Sequence, residues 1–329
     1  MAILMPPEWA PQDWLWIGFP HLADEWPGQL ARAQEQIAAF ANAVADSGQS
    51  VRLIVRDDDN ERRARALISE AVTTQQWIYG DIWLRDTAPL IVAHSANHDD
   101  RVRESRRFGF NGWGGKYCMP GDESIGADLA QDAGLTTAES TMILEGGALD
   151  GDGTGLVATT EQCLLHPNRN PGMSRTDIEQ ELHRRLGFER VLWLGDGLVN
   201  DHTDGHVDNL ARFTGPNRMV VPKATTSNDP NTAIYEDARR RAEEFGVAVA
   251  TIPSPGLIMR DGAIEPASYV NFAITSHLVV VPTFGSPFDE AGVAAIAEQF
   301  PDRATIGLRA DAVLAGGGGF HCASQQMPA

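Results

Sequence analysis

The sequence predicts an α/β fold in one domain. Strand-like apolar runs alternate with helix-periodic runs to the end of the chain. Strands outnumber helices by about two to one, where a simple βαβ sandwich gives about one to one. No low-complexity tract or linker-like break in composition divides the 329 residues, and 43% hydrophobic content is ample for a large core. The strand excess fits repeated units with two or three strands per helix, although self-similarity along the sequence is faint.

The elements follow in order. Residues 13–19, Asp-Trp-Leu-Trp-Ile-Gly-Phe, read as a strand. A helix follows over 26–47, with Leu30, Ala33, Ile37, Phe40, Ala41 and Val44 on one face and Gly48 as its stop. Residues 51–55 form a strand, and a charged helix covers 60–71. Further helices are expected over 122–133, 175–186, 232–245 and 287–300. Ser174 with Asp177 makes a capping box, and Ser286-Pro287 puts proline at the first helical position. Apolar runs at 141–144, 155–158, 191–194, 218–221, 247–252, 269–274 and 278–281 read as strands.

Charge narrows the function. There are 26 basic and 45 acidic residues, a net charge of −19. Such a surface repels nucleic acid and anionic membranes and attracts cationic small molecules. Three cysteines imply no disulfide framework. The start of the chain lacks the basic residue of a secretory signal, and no apolar run approaches a membrane span. The expectation is a cytoplasmic protein; oligomeric state is left open.

Four polar clusters carry the chemistry. The chain closes on four glycines, Gly316 to Gly319, then Phe320, His321 and Cys322. Such a run allows close approach of another molecule, and a thiol after it is a candidate nucleophile. Cys163, in the apolar run Cys-Leu-Leu, reads as structural, as does Cys118. His206 and Asp208 are two apart; if 205–213 is a strand, both project to one face, and the carboxylate favours the charged imidazole. Taken singly, His206 reads equally as a hydrogen-bonded strand-edge histidine. Asp86, in Trp83-Leu84-Arg85-Asp86-Thr87, taken alone reads sooner as a surface ion pair or an Asx-turn, and Glu145 before Gly146-Gly147 reads equally as a turn carboxylate. Trp83 and Trp113 read as core or cleft-lining aromatics. Together, a thiol, an imidazole and three carboxylates suit a guanidinium, a planar cation that carboxylates grip in pairs of hydrogen bonds.

At these residues the chain resembles the agmatine deiminase family, which includes the Porphyromonas-type peptidylarginine deiminases, within the pentein superfamily. The resemblance rests on Met5-Pro6-Pro7-Glu8-Trp9, Trp26-Pro27-Gly28, Trp83 to Thr87, Glu145-Gly146-Gly147, Thr160 to Leu165, Asn168-Arg169-Asn170-Pro171, Thr203 to Asn209 and the glycine-His321-Cys322 ending, all in family order. It implies a five-bladed α/β propeller with pseudo-fivefold symmetry, and one catalytic domain spanning 1–329. It implies that Cys322 is the nucleophile, that His206 protonates the departing nitrogen and then activates water, that Asp86 and Asp208 hold the guanidinium, and that Glu145 orients His206. Asp204 and His202 are placed beside the substrate with Trp83 and Trp113. The implied reaction turns a guanidine, foremost agmatine, into a ureido product and ammonia, without metal or organic cofactor, in polyamine synthesis. The family commonly has an acidic residue where this chain has His202. That leaves arginine or peptidylarginine as alternative substrates.

Two other chemistries share features of this sequence. Asp204-Gly205-His206-Val207-Asp208 resembles a ligand motif of manganese ureohydrolases, but the remaining ligand segments are missing and Cys322 is left unexplained. Amidino transfer on the same scaffold differs only in whether an amine replaces water at the intermediate.

Overall fold

The computed structural model describes residues 2–95 and 101–329. Mixed α/β structure runs throughout, with 19 strands and ten α-helices among the described residues. No helix among them is long and apolar enough to cross a membrane.

Five sheets share one plan: two antiparallel strands, a helix, then a strand parallel to the second. Ser324–Pro328, the end of the chain, pairs antiparallel with Gln12–Gly18, which runs parallel to Val51–Val55 and then Val72–Gln76. Leu90–Ser95 is antiparallel to Arg101–Gly109, which is parallel to Thr136–Ile143; Ala2–Leu4 adds an antiparallel edge. Asp150–Gly151, Leu156–Thr160 and Arg190–Leu194 repeat the plan. So do Arg212–Gly215, Arg218–Lys223 and Ala248–Pro253, and again Ala273–Ile274, Leu278–Thr283 and Ala304–Arg309. A parallel return requires a crossover, and helices supply it. These are Leu30–Asp46, Ile125–Asp132, Arg175–Leu186, Thr232–Phe245 and Asp289–Ala297. Each buries an apolar stripe, as with Ile178, Leu182 and Leu186 at 0% exposure. Burial of such a side chain contributes about 1.5–3 kcal/mol.

Successive sheets are joined by segments 77–89, 144–149, 195–211, 254–272 and 310–323. All five meet at a polar centre. Arg212, fully buried, donates from Nε to Asp150 Oδ1 at 2.8 Å and from Nη1 to Phe272 O at 2.9 Å, and pairs through Nη2 with Glu8. Glu8 also accepts from Ile274 N at 2.7 Å and lies 2.9 Å from His321 Nε2. Burial alone would raise the Glu8 carboxyl, but Arg212, His321 and Arg85 hold it well below the usual carboxylate range.

The helices predicted over 175–186 and 232–245 are found with those bounds, and the Ser174–Asp177 capping box is formed. Other predictions are corrected. The first helix begins at Leu30, not residue 26, because residues 26–29 form a turn in which Gln29 N and Leu30 N both donate to Trp26 O. The charged helix is Asp58–Arg65, started by the Asp57 side chain accepting from Asn60 N. Helix 122–133 narrows to Ile125–Asp132. Pro287 precedes its helix, which starts at Asp289, and Ser286 Oγ instead accepts from Phe288 N. Of the strand 269–274 only Ala273–Ile274 pairs. Residues 205–213 are not one strand: Val207–Asn209 is a 3₁₀ turn and Arg212–Gly215 the strand. Cys118 is exposed rather than a buried structural thiol.

The segment 77–89 is braced by Asp122, whose Oδ1 accepts from Gly80 N at 2.8 Å and Asp81 N at 3.0 Å. Its Oδ2 is buried without a partner among the described residues. Burial raises its pKa from 3.8 to about 6. An acid raised by folding stabilises the native state fully below its unfolded pKa, and that contribution is lost as pH rises through the folded value. Asp122→Asn keeps the acceptor and removes the titration. Its stability relative to wild type is expected to improve between pH 4 and pH 8 by roughly 2–3 kcal/mol, read by urea denaturation.

Candidate active site

The five joining segments each bring a polar side chain to one small volume. The first carries Asp86 in the short helix Leu84–Thr87. Asp86 Oδ1 accepts from Gly147 N and Oδ2 from Trp113 Nε1, both at 2.9 Å. The second carries Glu145, 0% exposed, with both oxygens 3.0 Å from Arg169 Nε. The third carries His206 and Asp208, whose turn is set by His206 N donating to Thr203 Oγ1 at 3.0 Å. The fourth carries Asn271, and the fifth Cys322.

Cys322 sits at the meeting point, 4% exposed. Its sulfur lies 3.4 Å from Asp208 Oδ2 and receives Asn271 Nδ2 at 3.0 Å. Burial, then the Asp208 and Asp86 carboxylates, push its thiol well above the usual range. His206 Nδ1 stands 3.7 Å from Asp86 Oδ1, and neither ring nitrogen has a hydrogen-bond partner among the described residues. Burial opposes its charge, but Asp86, Cys163 and Glu145 together outweigh this and push the imidazole up to about 10. Asp86 itself is raised, by burial first; His206 opposes that, and the like charge of Asp208 adds to it. Burial would likewise raise Asp208, but the 2.7 Å hydrogen bond and the charge of His321 Nδ1 hold it below the ordinary carboxylate range.

Two glycines are dictated by this crowding. A Cβ on Gly147 would stand 2.6 Å from His206 Nδ1 and 2.9 Å from Asp86 Oδ1. A Cβ on Gly318 would stand 2.7 Å from the Trp83 ring and 3.0 Å from Cys322 Cβ.

A cleft leads from the surface to Asp86 and Cys322. Trp83 and Trp113 line its walls, with Asp81, Thr203 and residues 315–318. Glu25, Tyr117 and His202 stand at its open end. The structure therefore brings Cys322, His206, Asp208, Asp86 and Glu145 together, with Trp83, Trp113 and His202 on the approach. Asp204 is directed elsewhere: its oxygens accept from Lys116 Nζ and Arg169 Nη1 at 2.7 Å, and from Asn168 Nδ2 at 3.0 Å. The expectation that His206 and Asp208 share a strand face is replaced by a tight turn that aims both inward.

Several participants escaped the sequence reading. Arg169 was visible in Asn168-Arg169-Asn170-Pro171 but carried no role there; it fixes Glu145 and donates from Nη2 to Thr203 O at 2.6 Å. Asn271, beside Val270 in an apolar run, gave no signal. Cys163 packs against the site: its sulfur, a Glu145 oxygen and a His206 nitrogen lie within 4.8 Å of one another. Asp204 and Asp208 point to different partners, so the ureohydrolase-like motif does not converge on one ion position.

The arrangement offers a buried thiol, an imidazole and two carboxylates at the floor of a cleft. Comparison with known proteins agrees over the whole chain. The family model for Porphyromonas-type peptidyl-arginine deiminase matches residues 4–328. An agmatine deiminase of Pseudomonas putida is 35% identical, covering 99% of this chain and 95% of that one. One from Stutzerimonas stutzeri is 33% identical over 99% and 95%. The solved agmatine deiminase of Enterococcus faecalis superposes with a TM-score of 0.92 at 28% identity, over 99% and 96%. An inosamine-phosphate amidinotransferase from Streptomyces griseus shares the fold at a TM-score of 0.57, with 12% identity over 99% and 97%. With its motifs in order and its site assembled from all five joining segments, this chain belongs to the Porphyromonas-type peptidyl-arginine deiminase family.

Proposed function

We propose that the protein is a guanidine deiminase that hydrolyses agmatine to N-carbamoylputrescine and ammonia. The observation that carries this is a buried thiol with the Asp86 and Asp208 carboxylates beside it at the floor of a cleft. Asp86 and Asp208 receive the guanidinium N–H groups, and Trp83 and Trp113 flank its plane. Desolvated pairing of this kind is strong because either side left alone is an unpaired buried charge.

The bound cation offsets the two carboxylates that hold Cys322 as a thiol, so the thiolate forms with substrate in place. Sulfur attacks the guanidinium carbon. As the tetrahedral adduct collapses, the C–N bond to a terminal nitrogen breaks, His206 gives its proton to that nitrogen, and ammonia leaves a covalent thiouronium. Neutral His206 then takes a proton from water, whose oxygen attacks the same carbon. The C–S bond breaks as the hydroxyl proton passes to the sulfur, releasing the ureido product and restoring the thiol. Glu145, held by Arg169, keeps His206 in line. General acid–base help of this kind contributes about 10²–10⁴ in rate.

The same reading takes the chain as one catalytic domain and its five sheets as blades of an α/β propeller with pseudo-fivefold symmetry. The common strand plan, and the delivery of one part of the site by each joining segment, support it.

Three outcomes are expected. Cys322→Ser, His206→Ala and Asp208→Ala each abolish ammonia release from agmatine; residual turnover by Cys322→Ser would remove the mechanism. The pH profile of Cys322 alkylation moves to lower pH when a non-reacting guanidinium ion is added, and an unshifted profile counts against substrate-assisted ionisation. In the ligand-free protein, NMR of labelled histidine finds His206 losing its proton near pH 10, and at lower pH in Asp86→Asn, since the carboxylate that favours the charged ring has gone.

A further inference from the structure

The cleft has two ends, and only the inner one is accounted for by the deiminase chemistry. Three carboxylates line it: Glu25, Asp81 and Asp86. Asp86 is at the buried end, bonded to Gly147 and Trp113. Asp81 is buried, its Oδ1 accepts from its neighbour Ile82 N at 2.7 Å, and burial pushes its carboxyl well above the usual carboxylate range. Glu25 remains. It is half-buried in the turn before Leu30–Asp46, at the open end with exposed His202 and Tyr117. No hydrogen bond ties its carboxylate among the described residues; its titratable neighbours are Asp24 and His202.

The position of Glu25 is fixed from behind. The next residue, Trp26, is 1% exposed, and its ring centroid stands 6.2 Å from that of Trp83. A Cβ on Gly316 would come within 2.5 Å of the Trp26 ring, so the turn is seated directly on the loop that leads to Cys322. The carboxylate at the mouth and the sulfur at the floor thus hang from one rigid piece. Residue 202 is an imidazole whose ring centroid lies 6.0 Å from that of Tyr117. It offers no fixed negative charge to an incoming cation.

We propose that Glu25 is a specificity-determining residue, pairing with a primary ammonium at the far end of a guanidino substrate and repelling a carboxylate there. The inference rests on the deiminase reading, and it deepens that reading. It explains how a chain with histidine at position 202 still selects a dication. It also sets an aminoalkylguanidine above a free amino-acid guanidine.

The test compares agmatine with pentylguanidine, in which a methyl replaces the ammonium, in wild type, Glu25→Gln and Asp24→Asn, all checked for native circular dichroism. Wild type is expected to favour agmatine. Glu25→Gln lowers kcat/KM for agmatine relative to pentylguanidine by about 10-fold, mainly through KM, as loss of a charge-assisted hydrogen bond predicts. Asp24→Asn removes the same charge from the exposed neighbouring position and changes the ratio less than about 2-fold. An equal ratio in wild type and Glu25→Gln overturns the assignment, and so does an equal shift from both variants. Turnover of pentylguanidine but not agmatine by wild type overturns it while leaving the deiminase chemistry standing. Ammonia from neither compound overturns both.

Discussion

Negative charge crowded around a sulfur, with little water to screen it, is the constraint from which the rest of this structure follows. Asp86, Asp208 and Glu145 converge with Glu8 and Asp150 close behind, all buried. The protein neutralises the outer members internally. Arg212 takes Glu8 and Asp150, and Arg169 takes Glu145. His321 bridges Glu8 and Asp208. What faces the cleft is Asp86, with His206 Nδ1 3.7 Å away, one oxygen of Asp208 without a partner among the described residues, and the thiol that both carboxylates push up. Breaking one side of a buried ion pair costs about 3–5 kcal/mol, so the arginines are as structural as any apolar residue here.

The fold meets this constraint by spreading it over the chain. No single sheet holds the site; each joining segment contributes a part and is pinned by a neighbour. Arg85 N donates to Cys322 O at 3.0 Å, Gly147 N to Asp86, and Asn271 Nδ2 to both Cys322 Sγ and Asn209 Oδ1. Ser324–Pro328 closes the arrangement by pairing with Gln12–Gly18, which ties the segment bearing Cys322 to the first long strand of the chain. Side chains far apart in sequence are thereby held without needing room to adjust, as preorganised electrostatics require.

The sequence disclosed what is local. A capping box and 3.6-residue periodicity set the bounds of Arg175–Leu186, and a glycine in the left-handed region ends both it and Thr232–Phe245. Site residues with unusual neighbours, such as Asp86 before a proline turn or Cys322 after four glycines, stood out and could be named. What stayed hidden depends on partners distant in the chain. Ser324–Pro328 is polar in composition yet wholly buried, because Gln325 Nε2 donates to Pro89 O and Gln326 accepts from Arg85. No periodicity marks such a strand. Arg212 is 0% exposed in a position that pattern alone would leave at the surface. Asp204, one residue from Gly205 and two from His206, looked like part of the site; only the fold reveals that Lys116 and Arg169 claim it. The strand assumed for 205–213 gave way to a turn because Thr203 Oγ1 captures the His206 amide.

The same charge balance bears on how a turnover ends. On the proposed reading a guanidinium enters as a cation and pairs with Asp86 and Asp208, and the ureido group that replaces it is neutral. Once formed, it offers the carboxylates dipoles in place of a full charge, and the sulfur is again pushed toward its protonated form by the groups beside it. The free energy that drew the substrate in is therefore not available to hold the product. A site that turns two carboxylates toward its ligand binds a cationic reactant better than a neutral product, and no moving lid is needed for that difference. Substituting an amide for either carboxylate would narrow the gap from both sides, weakening entry while relaxing the pressure on the thiol. The crowding that makes the empty centre costly is thus also what empties it again.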